Sequence, residues 1–227
     1  MPSPARVNLA ARLTEVESLI RVSASRKARR TANIATEEPA LLRSALVMLC
    51  SHIEGHFEEL IEDIVLAVDG RATRSADFPE AIRIVQVVNG SGTWDTPHSA
   101  VRWRVARTCA GNPLISDQTP HVSGLLDTAL HTDGFANPGT TDVRQLFASV
   151  GIPEVWHSFS QIEPRIAYKN EIDAIVNRRN QIAHGDKNAR ILASDLTAYL
   201  RNFQHTADVF DTLSEAHVAA SFAGFTW

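Results

Sequence analysis

The sequence predicts an all-α protein, a helical bundle with an irregular, partly helical insertion between its long second helix and a helix near the C-terminal end. Three observations predict this class. Apolar residues recur at steps of three or four over several long segments. Glycine, proline and asparagine turn signals concentrate in the middle of the chain, where the helical pattern weakens. The hydrophobic content of 44% and the charged content of 21% are typical of a globular protein.

The chain of 227 residues is long enough for one sizeable core, so we expect a single domain over residues 1–227 with residues 71–141 as an insertion within it. The net charge of −4 argues against a uniformly basic nucleic-acid binder, so any RNA contact is expected from a local patch. Two cysteines are too few for a disulfide framework, and Cys50 lies in an apolar run. We find no membrane span or signal-peptide pattern and therefore expect a cytoplasmic location.

Two helices form the first part of the predicted bundle. The first covers residues 7–28 and ends in a basic cluster, which we interpret as a solvated helix end. The second has Pro39 in its first turn and ends at Asp69-Gly70, so its thirty residues make a rod of about 45 Å. Its buried stripe is predicted to contain Leu42, Leu46, Leu49, Ile53, Phe57, Leu60, Ile64 and Val68.

The middle segment, residues 71–141, has weaker patterns. Residues 78–88 are compatible with one helix and residues 125–130 with a short one. Residues 101–105 alternate apolar and charged side chains, which leaves strand and helix both open. The segment lacks an apolar core of its own, so we interpret it as an insertion.

Helical patterning resumes after residue 141. Thr141 is expected to cap a helix over 142–150, and a short helix follows over 155–159. A helix over residues 165–184, called the motif helix below, is expected to stop at Gly185. Its predicted buried stripe is Ile166, Ile172, Ile175 and Val176.

The last helix is expected to open at Ser194 or Asp195. Its predicted inner face consists of Leu196, Tyr199, Leu200, Phe203, Phe210 and Leu213.

The end of the motif helix, residues 178–186, contains two arginines, an asparagine, a histidine and a glycine. Arginine has a rigid cationic fork that matches phosphate oxygens, and histidine exchanges a proton near pH ~6.5. Such a pair can cleave RNA without a metal. However, Arg179 and His184 are five residues apart, which separates them by about 140° around a helix and about 7.5 Å along it. From spacing alone, a cation and a histidine before glycine are better explained as an ordinary helix end.

Two segments carry a resemblance to a known family. The pattern Arg179-Asn180, three residues and then His184 resembles the signature of the HEPN superfamily. Residues 46–60, which contain Glu54, are similar to the long helix of the HEPN group found with RiboL-PSP proteins. Glu54 precedes Arg179 by 125 residues, and residues 141–152 show a less specific similarity to the same group.

The resemblance implies a HEPN-like bundle that acts as a metal-independent endoribonuclease without a cofactor, cleaving RNA through attack of the 2′-OH. The implied active site forms in a homodimer where two motif helices meet, with Arg179 and His184 of each chain facing one another. Asn180 would position the phosphate or orient His184. Glu54 would hold Arg179 in place, and Arg178 would contact RNA at the rim.

The resemblance also implies a biological role and leaves an alternative open. It implies a toxin or an antiviral-defence effector, with an antitoxin or another defence-system protein as partner. The alternative is a catalytically silent HEPN module that binds RNA, a nucleotide or a protein partner. The intact set of Arg179, Asn180 and His184 favours the enzyme.

Two further patterns are candidates for binding. His52 and His56 are spaced for a metal on a helix, but no third ligand follows, so we expect no metal site. Arg102 and Arg104 flank Trp103 in the insertion, and basic residues interleaved with aromatics can hold single-stranded RNA. For these arginines, an amphipathic element with buried tryptophans is the favoured alternative.

Overall fold

A computed structural model of the chain describes residues 1–28, 33–88, 109–117, 119–124, 126–165, 167–186 and 189–227. Within these ranges the protein is all-α, as predicted, with eight α-helices and no β-strand. The helices are α1 (Pro4–Ala28), α2 (Ile34–Asp69), α3 (Glu80–Val88), α4 (Ala129–Thr132), α5 (Thr140–Ala148), α6 (Val155–Ile162), α7 (Ala167–Ala183) and α8 (Ala193–Ser221). None of the helices in the described ranges is long and apolar enough to cross a membrane.

Helix α2 is the central element of the bundle. Every residue of its predicted stripe is buried, because the 3.6-residue period keeps these side chains on one face against the core. Helix α1 packs along α2 with ion pairs between Arg12 and Glu59 and between Arg26 and Glu37. Residues early in α1 thus meet residues late in α2, so the two helices are antiparallel.

An aromatic cluster joins α2 to the second half of the chain. The Phe57 ring lies 5.0 Å from the Phe210 ring and 6.1 Å from the Phe147 ring, both in near-perpendicular geometry. Trp156 packs edge-on against Phe210 at 5.4 Å. Such edge-to-face pairs add to the stabilisation from burial and fix how α2, α5, α6 and α8 pack together.

The motif helix is α7, and it packs between α2 and α8. Ile172, Ile175 and Val176 are buried, as the sequence predicts, whereas Ile166 lies outside the described residues. The inner face of α8 is also buried as predicted, except that Tyr199 is only partly covered. Burial of these two stripes leaves the end of α7 at the surface.

The described part of the insertion is held by polar contacts to the bundle and within itself, and its Phe78 and Ile82 side chains join the bundle core. Asp69, the last residue of α2, lies 3.0 Å from the Nε2 atom of His121, and both side chains are buried. Gln86 in α3 donates to the carbonyl of Asp127 at 2.7 Å and accepts from its backbone N–H at 3.0 Å. Helix α3 forms close to the predicted bounds.

Three of the helix starts that differ from expectation have an identifiable physical reason, which is local in the first two. Helix α2 begins at Ile34, because the N–H groups of Thr36 and Glu37 already bond to the Asn33 carbonyl, and Pro39 therefore lies within the helix. The short helix expected over 125–130 begins only at Ala129, whose N–H bonds to the Asp127 side chain.

The third correction concerns the cap expected at Thr141. Helix α5 begins at Thr140, and its N-cap residue is Gly139, which has no side chain to bond to the first turn. Asp173 in α7 accepts hydrogen bonds from both the backbone N–H and the Oγ1 hydroxyl of Thr140, each at 2.8 Å. The first turn of α5 is therefore satisfied by another helix rather than by its own sequence.

Candidate functional site

The C-terminal end of α7 has a glycine-terminated geometry. Gly185 has a φ of +78° and donates to the Ile182 carbonyl at 3.0 Å, and Asp186 donates to the Gln181 carbonyl at 3.0 Å. These two bonds form a Schellman motif, which confirms Gly185 as the predicted stop. His184 is the C-cap residue, and its side chain is exposed at the helix end.

Arg179 lies one and a half turns earlier and is held in place by three acceptors. Its Nη1 atom donates to Asn137 Oδ1 at 2.7 Å and to Asn180 Oδ1 at 2.9 Å. Its Nη2 atom lies 3.9 Å from a carboxylate oxygen of Glu54, at the outer limit of an ion pair. The Arg179 and Glu54 side chains are 26% and 27% exposed, so the guanidinium is fixed while remaining accessible to solvent.

Asn137 is a site residue that the sequence reasoning missed. It has a φ of +60°, in the left-handed region that asparagine tolerates better than most residues. Its carbonyl accepts a hydrogen bond from Gly139 at 2.6 Å, which closes a tight turn. The sequence showed Asn137-Pro138-Gly139 only as a turn signal, and nothing local indicated a partner 42 residues away.

The turn at residues 137–140 is fixed against the bundle from two sides. Asp173 holds Thr140 from α7, and the Trp156 indole N–H donates to the Thr140 carbonyl at 2.7 Å. These bonds place the turn beside α7, about three turns before its end. The bonds of Thr140 thus fix the turn, and with it Asn137, whether or not the Arg179 side chain is in place.

Cys50 in α2 lies beneath the guanidinium. The thiol is buried, and burial raises its pKa, while the charge of Arg179 opposes this rise. The thiol therefore stays protonated at neutral pH. Cys50 and Glu54 are one turn apart on α2, so this helix supplies the floor of the site.

Arg179 and His184 do not meet within one chain. In the described ranges, the only hydrogen bond of His184 runs from its backbone N–H to the Asn180 carbonyl, at 2.9 Å. The Asn180 side chain contacts Arg179 and not the histidine. One chain thus presents a fixed cation and a histidine ring that makes no hydrogen bond to any described residue.

The other predicted site residues lie apart from this pair. Arg178 is partly buried on the side of α7 that faces α8, where its charge opposes the burial-driven rise in the pKa of Tyr199. Arg102 and Arg104 lie outside the described residues, as do Trp94 and Trp103.

The two histidines of α2 have different surroundings. His52 lies 3.3 Å from Glu15, and His56 is fully buried, with burial lowering its pKa to about 4. The described residues contain no group of three or more histidine, cysteine, aspartate or glutamate side chains arranged to hold a metal ion.

Comparison with known proteins gives one match. The model of the RiboL-PSP-HEPN family matches residues 8–216, a range that contains α2, the turn at 137–140 and the motif helix. No curated protein and no solved structure matches the chain significantly.

Proposed function

Because the chain belongs to the RiboL-PSP-HEPN family, we propose that it is a metal-independent endoribonuclease that acts as a homodimer. The observation that carries the proposal is the pair formed by a prepositioned Arg179 and an exposed His184 at one helix end. We propose that the chain forms one domain, with residues 71–141 inserted in it, and that no cofactor takes part.

The proposed reaction is a transesterification. The Arg179 guanidinium binds the non-bridging oxygens of the scissile phosphate and stabilises the charge that grows on phosphorus. One His184 removes the proton of the 2′-OH, whose oxygen forms a new bond to phosphorus while the bond to the 5′-oxygen breaks. A proton reaches the leaving 5′-oxygen from the second His184, so the products are a 2′,3′-cyclic phosphate and a 5′-hydroxyl.

The homodimer is proposed because one chain offers only half of this chemistry. Five residues on a helix separate Arg179 from His184 by about 140°, and no contact joins the two side chains in the described ranges. Two motif helices meeting about a two-fold axis would place the histidine of one chain near the arginine of the other. They would also supply two histidines, one as base and one as acid.

The remaining roles follow from the contacts of Arg179. Asn137 and Asn180 hold the guanidinium, and Glu54 balances its charge in the absence of RNA. For Arg178, which lies on the α8 side of the motif helix, a contact with RNA at the rim is proposed from the family resemblance alone. A role as toxin or defence effector, under the control of an antitoxin or another partner, rests on the family alone.

One observation favours the second candidate, a silent module that binds RNA, a nucleotide or a protein. Nη1 of Arg179 already bonds to two amide oxygens of its own chain. A phosphate must therefore use the other nitrogens or displace an amide. If Arg179 never releases these bonds, the site is structural.

The deciding experiment incubates wild type, His184→Ala and Arg179→Ala with a panel of RNAs in EDTA. We expect cleavage with cyclic-phosphate ends by the wild type alone. Equal cleavage by all three proteins would rule out the proposed site. No cleavage by any of them, with RNA binding retained, would favour the silent module.

The dimer has a separate test. Light scattering at micromolar concentration should give twice the mass of one chain for the wild type and for both variants. A monomer under these conditions would contradict a site composed of two chains.

A further inference from the structure

We propose that a basic cleft lined by Lys27, Arg43 and Arg190 binds the sugar–phosphate backbone of a single RNA strand that extends from the candidate site. This inference rests on the proposed ribonuclease function and adds to it the surface that holds the substrate. The cleft lies between the end of α1, the first turns of α2 and the segment that joins α7 to α8.

The cleft is large enough for part of a nucleic-acid strand. Its volume is about 760 Å³, within the range of ligand-binding clefts. Apolar side chains form part of its wall, including Leu192, which is 63% exposed.

The charges of the cleft favour an anion. Glu38 is the one carboxylate among the described lining residues, and it is paired with Lys27 at 3.0 Å. Arg43 is partly buried and forms no hydrogen bond or ion pair with any described residue, and the same is true of the exposed Arg190. Two guanidinium groups that bond to none of the described residues thus lie in one cleft, and they match the oxygens of a phosphate backbone.

A second cavity lies beside the cleft and reaches the motif helix at Ile182. It has a volume of about 680 Å³, and Arg43 lines both cavities. Ile182, two residues before His184, lines the second cavity. Along α2, Arg43 lies eleven residues before Glu54, or about 16 Å at 1.5 Å per residue. Arg43 therefore lies where a strand leaving Arg179 can reach it.

The lining of the second cavity indicates an unpaired strand. Val47, Met48 and Ile182 line it, and Val47 is 40% exposed. Apolar side chains suit the faces of bases, which a duplex keeps stacked inside and a single strand exposes. The two cavities, which share Arg43, thus offer cations for phosphates and apolar surface for bases, and the second cavity is also lined by Glu15 and His52.

The test measures RNA binding in a variant that is expected not to cleave RNA, so that affinity is read without degradation of the probe. His184→Ala provides the background, and a labelled single-stranded oligouridylate is the probe in fluorescence anisotropy. Arg43→Glu and Arg190→Glu should each weaken binding about fourfold at 0.15 M salt, and the double variant more than tenfold. The reason is that each lost phosphate contact reduces the slope of log K against log salt concentration by about 0.7. Arg144→Glu is the matched control, since Arg144 is exposed on α5 and outside both cavities.

Three results would overturn the inference. Equal binding by the cleft variants and the Arg144→Glu control would exclude the cleft as an RNA surface. If Arg43→Glu misfolds, Arg190→Glu still provides this test, because Arg190 is exposed. Equal affinity for a duplex of the same length would exclude a single strand. A change of mass in light scattering for Arg43→Glu would assign the cleft to contact between copies. A wild type that binds RNA through the cleft without cleaving it would refute only the proposed activity.

Discussion

The Nη1 atom of Arg179 donates to Asn137 Oδ1 over 2.7 Å and so joins the motif helix to a turn 42 residues earlier in the chain. The contact orders a long, flexible side chain before any phosphate arrives. Under the proposed mechanism, this prior ordering lowers the entropic cost of reaching the transition state.

Asn137→Gly should lower kcat by about 10- to 100-fold, because Arg179 loses its strongest support while the left-handed turn stays unstrained. KM should change less than kcat. Steady-state kinetics and a thermal melt are the measurements, and the melting temperature should match the wild type. Asn137→Ala is the control for strain and should lose about 1 kcal/mol of stability in addition. Unchanged kcat in Asn137→Gly would refute the positioning role.

Arg179→Lys should be nearly as inactive as Arg179→Ala. An ammonium group is a single point charge and cannot bond to two asparagines while also presenting a planar fork to phosphate. Cleavage assays on the same RNA give the comparison. Recovery of more than about a tenth of the wild-type rate by lysine would indicate that charge alone is sufficient.

Glu54→Gln should have a small effect, below about fivefold in kcat/KM. The carboxylate lies 3.9 Å from Nη2 and both side chains are about a quarter exposed, so the ion pair contributes less than about 1 kcal/mol. The test compares Glu54→Gln with Asn137→Gly in one assay. A larger loss for Glu54→Gln than for Asn137→Gly would reverse this ranking of the two supports.

Gly185→Ala should destabilise the protein by about 1 kcal/mol. The cost is backbone strain at a φ of +78°, since an added Cβ meets no atom within 4 Å. The strain should fray the end of α7 and displace His184, so activity falls as well. Chemical denaturation and kinetics give both readings. Gly185→Asn tolerates the same φ and should retain most of the stability, and a Gly185→Ala protein with wild-type stability would contradict the Schellman end.

His131→Gln should reduce the sensitivity of the fold to acid. Burial lowers the pKa of His131 to about 4, below its unfolded value near ~6.5. The unfolded chain thus binds more protons between these values, and stability falls as the pH drops from 6.5 to 4. His131 alone accounts for a loss on the order of 2 kcal/mol by pH 4.5, which the variant should not show.

Urea unfolding of wild type and His131→Gln at pH 7 and pH 4.5 isolates this effect. His56 acts in the same direction as His131, because burial also lowers its pKa to about 4. Asp63 acts in the opposite direction, because burial raises its pKa to about 6. Both groups are present in the two proteins, so they cancel in the difference. Equal loss of stability in both proteins would exclude His131.

The elements that the sequence predicts best are those whose cause is local. The stripe of α2 was predicted correctly because one helical period and one core determine it. Gly185 was predicted as the helix stop because such an end needs a left-handed backbone, which glycine adopts without strain. Leu196 and Phe203 of α8 followed from the same periodicity.

The features that were missed depend on distant partners. Helix α5 starts one residue before the expected cap because Asp173 of α7 bonds to Thr140. Asn137 became part of the site only through a fold that places its turn beside Arg179. A single sequence contains no signal for either pair, since neither spacing nor composition links residues more than thirty positions apart.

The turn at residues 137–140 ties the arginine of the site to the bundle core. Asp173 and Trp156 hold the turn, and Trp156 is also part of the aromatic cluster of the core. Pro138 within the turn is buried, so moving the turn breaks hydrogen bonds and also exposes apolar surface. The readiness of Arg179 for phosphate therefore depends on how well the core is packed, and a variant that loosens the core should also loosen the guanidinium.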